Sequence, residues 1–532
     1  KQQMPSLDKS IKDNNSINDS ITAGSTKSDI QAKDEDSITV DEEQAISINE
    51  KEEPYTVLSK SKMIQLLIIT SMTGMLSPLT GSIYFPSVNQ IEADLGITTE
   101  QVNLTITVYM VLQATSPTFW GTLADNWGRR PVLLLTMVIY CGACIGLALS
   151  PNYAALMVFR MIQAFGSSSV IAISAGILSD IVQSKKRGSF YGFYSLGQSL
   201  GPVLGPVIGG IISEKLGWRW IFWILLILGC TIFICVGLFV PETLRSLVGN
   251  GSGYANPTPT QWLARRRGLV DEDQIAAKKA ASNPRPKMNF LAPFTYFAEP
   301  DVFLILWLNG LVFTVFYCFM TSTTKQYSIH YPYLSELEIG ICFLSMGVGT
   351  ISGSFLKGRL LDYDYRSVSK KFKRDYPDKP DSEFPIFVAR LRSLWINLIL
   401  MEVATLIYGW MFIINAPLPV ALVLQFLFAI SASGIMTSSQ TLLVDLFPGK
   451  GASITASNNL MRCLLGAMAT AYIGPGIAGV GMGWMFTILG LILVANNVCL
   501  FILIKRGPQW RMNRIQRQNG SLAKSRSLFR CI

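Results

Sequence analysis

Gly121-Thr-Leu-Ala-Asp125-Asn-Trp-Gly128-Arg129-Arg130 lies between two long apolar stretches of this chain. The segment is too short to be a domain and too charged to lie in lipid. Its glycines permit close approach of neighbouring backbones, and its acid and arginine pair suit the surface of a membrane. We therefore expect a short connection here between two membrane-spanning helices.

The composition around this turn is typical of a polytopic membrane protein. Of the 532 residues, 50% are hydrophobic and 15% are charged, against ~25% charged in soluble domains. Runs without any charge cover residues 63–91, 131–159, 403–444 and 463–504. Because a helix needs ~20 apolar residues to cross the bilayer, each of the two longest runs holds between one and two spans.

These runs predict an all-α fold of twelve transmembrane helices in two six-helix halves. The halves cover residues 63–240 and 302–504, and a polar linker covers 241–301 between them. Residues 1–62 carry 8 Lys/Arg and 13 Asp/Glu, a composition typical of a disordered tail, and residues 505–532 form a basic tail. The expected helices are 63–85, 102–123, 131–149, 154–179, 189–212, 219–240, 302–323, 338–357, 394–414, 418–444, 453–473 and 484–504.

The loop charges predict the orientation of the helices. Basic residues concentrate on the side of both termini, whereas the opposite side carries only Lys215, Arg219 and Lys325. An excess of Lys and Arg marks the cytoplasmic side, so we expect both termini in the cytosol, which requires an even number of helices. The residues that carry this bias are Arg129, Arg130, Lys185, Lys186, Arg187, Arg265, Arg266, Arg267, Arg366, Lys370, Lys371, Lys373, Arg374, Arg392, Lys505, Arg506, Arg511, Arg514 and Arg517.

Several functional classes are not expected. The net charge of +10 maps to loops beside membrane spans, so we expect no nucleic-acid partner. Eight of the nine cysteines fall in predicted spans, where they serve as small apolar residues, and we expect neither a metal nor a cofactor. The sequence has no GxxxxGK[ST] loop and shows no catalytic triad. We therefore expect neither an enzyme nor an ATP-driven pump.

A weaker copy of the first turn, Gly358-Arg359-Leu360-Leu361-Asp362, follows the eighth span. That is the equivalent place in the second half. Related halves that enclose a site at the membrane midplane are a common plan of transporters. The duplication therefore favours a transporter over a channel.

Two motifs of the first half suggest moving parts. In the first turn, Asp125 near a helix end can pair with Arg129 and Arg130, latch neighbouring helices on the cytoplasmic side and release them; the arginines also enforce the topology. In the fifth span, glycines four apart create a smooth packing face and prolines bend the helix. The residues of this second motif are Gly197, Gly201, Pro202, Gly205, Pro206, Gly209 and Gly210.

Arg160 in the fourth span is costly at membrane depth. It faces a cavity or a partner, of which we favour the cavity, or else it extends to the outer surface. The fourth and fifth spans are antiparallel and joined by a short loop. We therefore expect Arg160 to lie close to the bend at Gly201-Pro202.

The second half has its own polar candidates. Glu402 is the one carboxylate near mid-membrane, and burial favours the neutral form of such a group, so it is either a proton carrier or the partner of a neighbouring side chain. Asn459 and Arg462 of the eleventh span are candidates for a cavity. Asp180 and Asp445 lie at cytoplasmic helix ends and are expected to be interfacial anchors.

Over residues 55–506 the chain resembles the fungal twelve-span drug:proton antiporters of the major facilitator superfamily, and within them the quinidine-resistance and dityrosine-exporter group. The resemblance implies a gating role for Gly121, Asp125, Gly128, Arg129 and Arg130. It implies that the run from Gly197 to Gly210 is the antiporter motif, generally lacking in importers, and that Arg160 and Gln163 take part in proton coupling. The segments that carry it are these motifs with Gly166, Gly81-Ser82-Ile83-Tyr84-Phe85-Pro86, Pro241-Glu242-Thr243-Leu244, Leu247-Val248-Gly249-Asn250-Gly251, Asp445-Leu-Phe-Pro448 and Asn459 to Arg462.

The expected function is therefore export of small organic compounds by proton antiport. Drugs, polyamines and weak organic acids are all compatible substrates, and the expected partners are the substrate, protons and the lipid bilayer. We expect a monomer in the plasma membrane. The alternative is a nutrient uptake symporter of the same superfamily, and a non-transporting receptor ranks third because its signalling tail would have to be longer than either end of this chain.

Overall fold

The computed structural model describes residues 56–182, 187–268, 292–377, 384–447 and 451–529. Most of the expected tail at 1–62 and the loop lysines Lys185 and Lys186 lie outside the described residues. So does much of the second part of the linker. The described chain is helical and contains no β-strand, so the expected all-α fold is confirmed.

Six long helices build the first half. Caps in the sequence set several of the helix ends: Thr98 forms a capping box with Gln101, and Asn152 accepts the N–H of Ala155. Gly96 closes the short helix before Thr98 in the left-handed region at φ 60°. The helices are α1 (Lys60–Ser82), α2 (Thr99–Trp127), α3 (Arg129–Ala148), α4 (Tyr153–Ile181), α5 (Arg187–Leu216) and α6 (Arg219–Phe239).

Six helices also build the second half. The last two form one helical run, Gly451–Phe529, which is broken at Gly481 with φ 82° and ψ 162°. The helices are α7 (Pro300–His330), α8 (Glu336–Asp375), α9 (Leu394–Ile413), α10 (Leu418–Leu446), α11 (451–480) and α12 (482–529).

Nine segments of the described chain are long and apolar enough to cross a membrane. The last segment, Ser453–Arg517, contains both α11 and α12. The long helices outside this set are α2, which is rich in Thr, Asn and Gln, and α5, which is rich in Gly. Counting both gives the expected twelve helices.

Two helices continue far beyond their predicted ends. We expected the eighth span to end at 357, but α8 continues to Asp375, so the copied motif from Gly358 to Asp362 lies inside a helix and forms no turn. After Gly358 the segment has neither glycine nor proline to stop the helix, and Lys373 and Arg374 in its last turn suit the helix C-terminus. The basic tail likewise continues α12 as far as Phe529.

The outer ring of helices faces lipid. In α6, Ile227 and Ile234 are exposed, and in α9 Ile396 and Ile399 are exposed, as expected where apolar side chains meet acyl chains. The inner helices α2, α5, α8 and α11 make most of the contacts between the halves, as α2 packs on α11 and α5 packs on α8. These four helices position the candidate site.

Candidate functional site between the two halves

Glycines allow α5 and α8 to pack backbone against backbone across the halves. A Cβ added at Gly210 would lie 2.8 Å from the carbonyl oxygen of Glu336 and 3.2 Å from the Cα of Gly340. A Cβ added at Gly340 would lie 2.7 Å from the carbonyl oxygen of Pro206. Only glycine fits such spacing, because real Cβ atoms do not approach other heavy atoms this closely. We call this contact of Gly210, Pro206, Glu336 and Gly340 the outer seam.

Polar contacts reinforce the closure at the outer ends of the helices. The Lys325 ammonium lies 3.1 Å from a carboxylate oxygen of Glu92. The backbone N–H of Leu337 donates to Glu214 at 3.0 Å, and the Thr324 hydroxyl donates to the carbonyl of Phe85 at 3.0 Å. Each of these contacts joins one half to the other. The two halves are thus sealed together on the side opposite the basic loops.

The contacts described between the halves reach inward as far as mid-depth, where the Asn459 amide donates to the Gln113 carbonyl at 3.0 Å. At the cytoplasmic ends, the ion pairs of the described residues join elements of one half. They are Arg129 with Asp125 and Asp180, Arg390 with Asp445, Arg514 with Asp301 and Glu299, and Arg517 with Glu299. The described contacts therefore close the outer side, and none of the ion pairs described at the cytoplasmic ends joins the two halves.

The first turn forms a charge cluster as expected from its residues. Arg129 lies 2.6 Å from Asp125 and 3.3 Å from Asp180, so it links the end of α2 to the end of α4. Gly128 adopts φ 116°, which only glycine tolerates easily. A Cβ at Gly121, by contrast, would meet no atom within 4 Å. Close approach at Gly121 is thus not used in this conformation, and the gating role of the turn stays a prediction.

Glu242 is a member of this cluster that sequence reasoning did not assign to the site. Its carboxylate accepts the backbone N–H of Arg129 at 2.8 Å and that of Arg130 at 3.4 Å. A carboxylate there satisfies free N–H groups at the start of α3 and suits the helix dipole. The Arg130 guanidinium in turn donates to the carbonyls of Asn256, Pro257 and Gly237 at 2.7–3.2 Å. The sequence does contain a sign of this role, because Glu242 is an acid that follows almost directly after the sixth predicted span.

The glycine ridge of α5 packs on α1 within the first half. Cβ atoms added at Gly197, Gly201, Gly205 and Gly209 would collide with backbone or hydroxyl atoms of α1 and its C-terminal end, and the Ser82 hydroxyl donates to the carbonyl of Gly201 at 3.1 Å. The packing interpretation of this ridge fits these contacts. Pro202 and Pro206 lie inside the helix, and Pro206 also belongs to the outer seam. One face of α5 is thus fixed to its own half while the other meets α8.

Arg160 is completely enclosed in the first half. Its side chain is 0% exposed, so the alternative that it extends to the outer surface is wrong. It donates to Gln163 at 2.9 Å, and its guanidinium lies 4.2 Å from the ring centre of Tyr84 and 4.6 Å from that of Tyr109. Stacking on two aromatic faces compensates part of the cost of burying the charge.

The expected proximity of Arg160 and the Gly201-Pro202 bend is also wrong. Gly201 packs against Pro78 and Leu79 of α1, while Arg160 contacts Tyr84 just beyond the end of α1. The connection between α4 and α5 is short, so these two helices are neighbours along the chain. However, the glycine ridge accommodates α1, which occupies the place that we expected for Arg160.

Arg462 lies at the boundary between the halves and remains partly exposed. It donates to Asn459 at 2.9 Å, and its guanidinium lies 4.5 Å from the ring centre of Phe313. The amide of Asn459 donates in turn to Gln113 in the opposite half. The structure therefore brings Arg462 and Asn459 together at mid-depth, where we expected a cavity.

Glu402 lies away from this boundary. The amide of Asn497 on α12 donates to its carboxylate at 2.7 Å, and the helix that carries it, α9, packs on α10 and α12. It is thus the partner of a neighbouring side chain, and proton carriage by Glu402 stays a prediction. Asp445 anchors α10 through an ion pair with Arg390 at 2.8 Å.

Two six-helix halves, sealed on one side around a polar midplane, define a membrane transporter. The sequence profile of the Major Facilitator Superfamily matches residues 70–374 of this chain. The chain belongs to the Major Facilitator Superfamily.

Curated relatives agree over most of the chain. Citrate exporter 1 of Aspergillus niger is 36% identical over 87% of this chain and 90% of its own length. Quinidine resistance protein 1 of Saccharomyces cerevisiae is 33% identical over 89% of this chain and 88% of its own. The multidrug transporter QDR2 of Candida glabrata is 31% identical over 88% and 85%. These relatives confirm the expected family group, and they make the chain a transporter and not an enzyme.

Solved structures agree on the fold. A bacterial homologue of the human lysosomal transporter Spinster, in an inward-facing and unoccupied conformation, superposes with a TM-score of 0.56 over 86% of this chain and 99% of its own. Its sequence is only 17% identical, so the likeness concerns the fold alone.

Proposed function

We propose that this protein exports small organic compounds from the cytosol by alternating access, in exchange for protons. The two faces of α5 carry the proposal. The ridge from Gly197 to Gly209 binds α5 to α1, so α5 moves with its own half, while Gly210 meets α8 at a backbone contact that can separate. A rocking motion of the halves would break the outer seam without unpacking either half.

The relatives support the direction of transport. One is named as a citrate exporter, and resistance to a drug or transport of many drugs, as others are named, is compatible with the same outward direction. We propose the plasma membrane as the location, with both termini in the cytosol and a monomer as the working unit. The strong excess of basic residues on the side of the termini supports this orientation.

Transport into inside-out membrane vesicles tests the function. Acidifying the vesicle interior should drive uptake of substrates such as quinidine or citrate into vesicles that contain the protein, and an uncoupler should abolish that uptake. Uptake that persists after the uncoupler would reject proton antiport. Movement of substrate only out of these vesicles would reject export and favour the alternative, nutrient uptake.

A pair of glycine variants tests the motion itself. Gly210→Val places methyl groups against Glu336 and Gly340 in the outer seam, so we expect it to slow transport at least about tenfold, which corresponds to roughly 1.4 kcal/mol. Gly142→Val is the matched control, because a Cβ at Gly142 meets no atom within 4 Å. Equal transport by the two variants, at equal amounts of folded protein, would reject the role of the seam.

A further inference from the structure

Arg462 has no acidic partner among the residues that the structure describes. No carboxylate oxygen in that part of the chain lies within 4.0 Å of its guanidinium. Four helices meet across the halves: α2 and α5 carry their acids near their ends, α8 carries acids in its first turn and from Asp362 onward, and α11 carries none. A guanidinium at membrane depth is costly unless it finds a partner. The structure thus presents a mid-depth cation without a counter-ion.

The immediate surroundings leave room for hydrogen bonding. The Nη2 atom of Arg462 donates to Asn459, but its buried Nε atom has no hydrogen-bond acceptor. The guanidinium lies over Phe313, and the ring of Tyr317 lies 4.6 Å from that of Phe313. The wall beside the charge is therefore aromatic. An organic molecule with an apolar body and an anionic group matches this arrangement.

Resting on the proposed export function, we propose that Arg462 binds a carboxylate group of the transported substrate. The planar guanidinium presents a fork of N–H donors that matches a carboxylate with two parallel hydrogen bonds. The substrate class is therefore organic carboxylic acids in their ionised form, whose apolar part packs on Phe313 and Tyr317.

The position of Asn459 couples this binding to the boundary between the halves. Asn459 accepts from Arg462 through its carbonyl oxygen and donates through its amide nitrogen to Gln113 of the opposite half. A substrate carboxylate that draws the Arg462 guanidinium toward itself also pulls on its hydrogen bond to Asn459. Asn459 is the side chain that joins the halves at mid-depth. Arg160 cannot take this role in the present conformation, because its side chain is fully enclosed.

Ligand binding to the purified full-length protein tests the proposal. Benzoate, benzylamine and benzyl alcohol share one ring and differ in charge, and citrate and hexanoate extend the set of carboxylates. We expect calorimetry to detect binding of carboxylates, with the Kd for the best one raised about 10- to 100-fold in Arg462→Gln, since a hydrogen bond to a charged group is lost. Arg462→Lys should recover part of the affinity.

Arg359→Gln is the matched control, because Arg359 is an exposed arginine of α8 and its loss should leave binding unchanged. Equal carboxylate affinity in the wild type and Arg462→Gln, with both variants folded by their thermal midpoints, would overturn the proposal. So would a wild-type protein that binds none of the carboxylates. If carboxylates bind through Arg462 but are not carried into inside-out vesicles, the export function fails and the anion site stands.

Discussion

Each half is held together at its cytoplasmic end by a charged side chain, which is an acid in the first half and a base in the second. In the first half, an acid directly after α6 reaches back: Glu242 caps the start of α3 beside Arg129. In the second half, the base is Arg514 in the extension of α12. It donates to both carboxylate oxygens of Asp301, which lies at the start of α7, at 2.7 and 2.8 Å. Each half is thus closed by the segment that follows its last membrane helix.

Both ties are buried, because Asp301 and Arg514 are 0% and 6% exposed and Glu242 is 5% exposed. The Asp125–Arg129 pair beside Glu242 differs from them, because Asp125 is 51% exposed. A buried pair holds strongly once formed, because separating it strands a charge away from water. An exposed pair contributes little and exchanges readily with water. The comparison indicates that both buried ties are permanent and that the exposed Asp125–Arg129 pair of the first half is releasable.

Breaking the buried tie should have the largest effect. Arg514→Ala leaves the Asp301 carboxylate buried without its partner, so we expect a loss of about 3–5 kcal/mol in the free energy of unfolding. Thermal unfolding of the purified protein measures it. The neighbouring Arg517→Ala is the control, because Arg517 is 67% exposed, and should cost less than about 1 kcal/mol. Similar losses in both variants would contradict a special role for Arg514.

Gly128→Ala should have an intermediate effect. The residue adopts φ 116°, and an added Cβ would overlap the carboxylate of Glu242 and the amide of Asn256. Gly96→Ala is the matched control: it has φ 60° but open space around its Cβ, so it should cost only the left-handed strain of about 1–2 kcal/mol. We expect Gly128→Ala to lower the thermal midpoint further than Gly96→Ala. An equal shift would show that the Glu242 carboxylate moves away from the added Cβ without any loss of stability.

Asp125→Asn should have the smallest effect on stability. The exposed pair with Arg129 contributes less than about 1 kcal/mol, so the thermal midpoint should barely move. If the first cluster is a releasable latch, the same variant should nevertheless change the rate of transport into inside-out vesicles. Unchanged transport together with unchanged stability would reduce the Asp125 pair to a surface contact.

Sequence reasoning predicted what local composition dictates. The charge-free runs and the basic loops of one side gave the twelve helices, because a span needs a fixed length of apolar chain. The first turn was also predictable, since Asp125 and Arg129 are close in sequence and face each other one turn apart.

Contacts between distant segments were not predictable in this way. The cap formed by Glu242 on α3 and the pair of Arg514 with Asp301 join residues more than a hundred positions apart. The error on Arg160 had the same origin. The short connection from α4 to α5 suggested that Arg160 contacts α5. Instead, α1 packs on the glycine ridge of α5, and Arg160 lies against Tyr84 and Tyr109.

The connections opposite the basic loops are very short, and this limits recognition from that side. Their non-helical parts are residues 83–84, 96–98, 149–152, 217–218, 331–335, 414–417 and the single residue Gly481, and the first connection also contains the short helical segment 85–95. An antibody has no loop of more than five residues there to serve as a linear epitope. It would have to bind helix ends from both halves together, and such an epitope exists only while the outer seam is closed. Antibodies selected against that face would therefore report the conformation of the molecule.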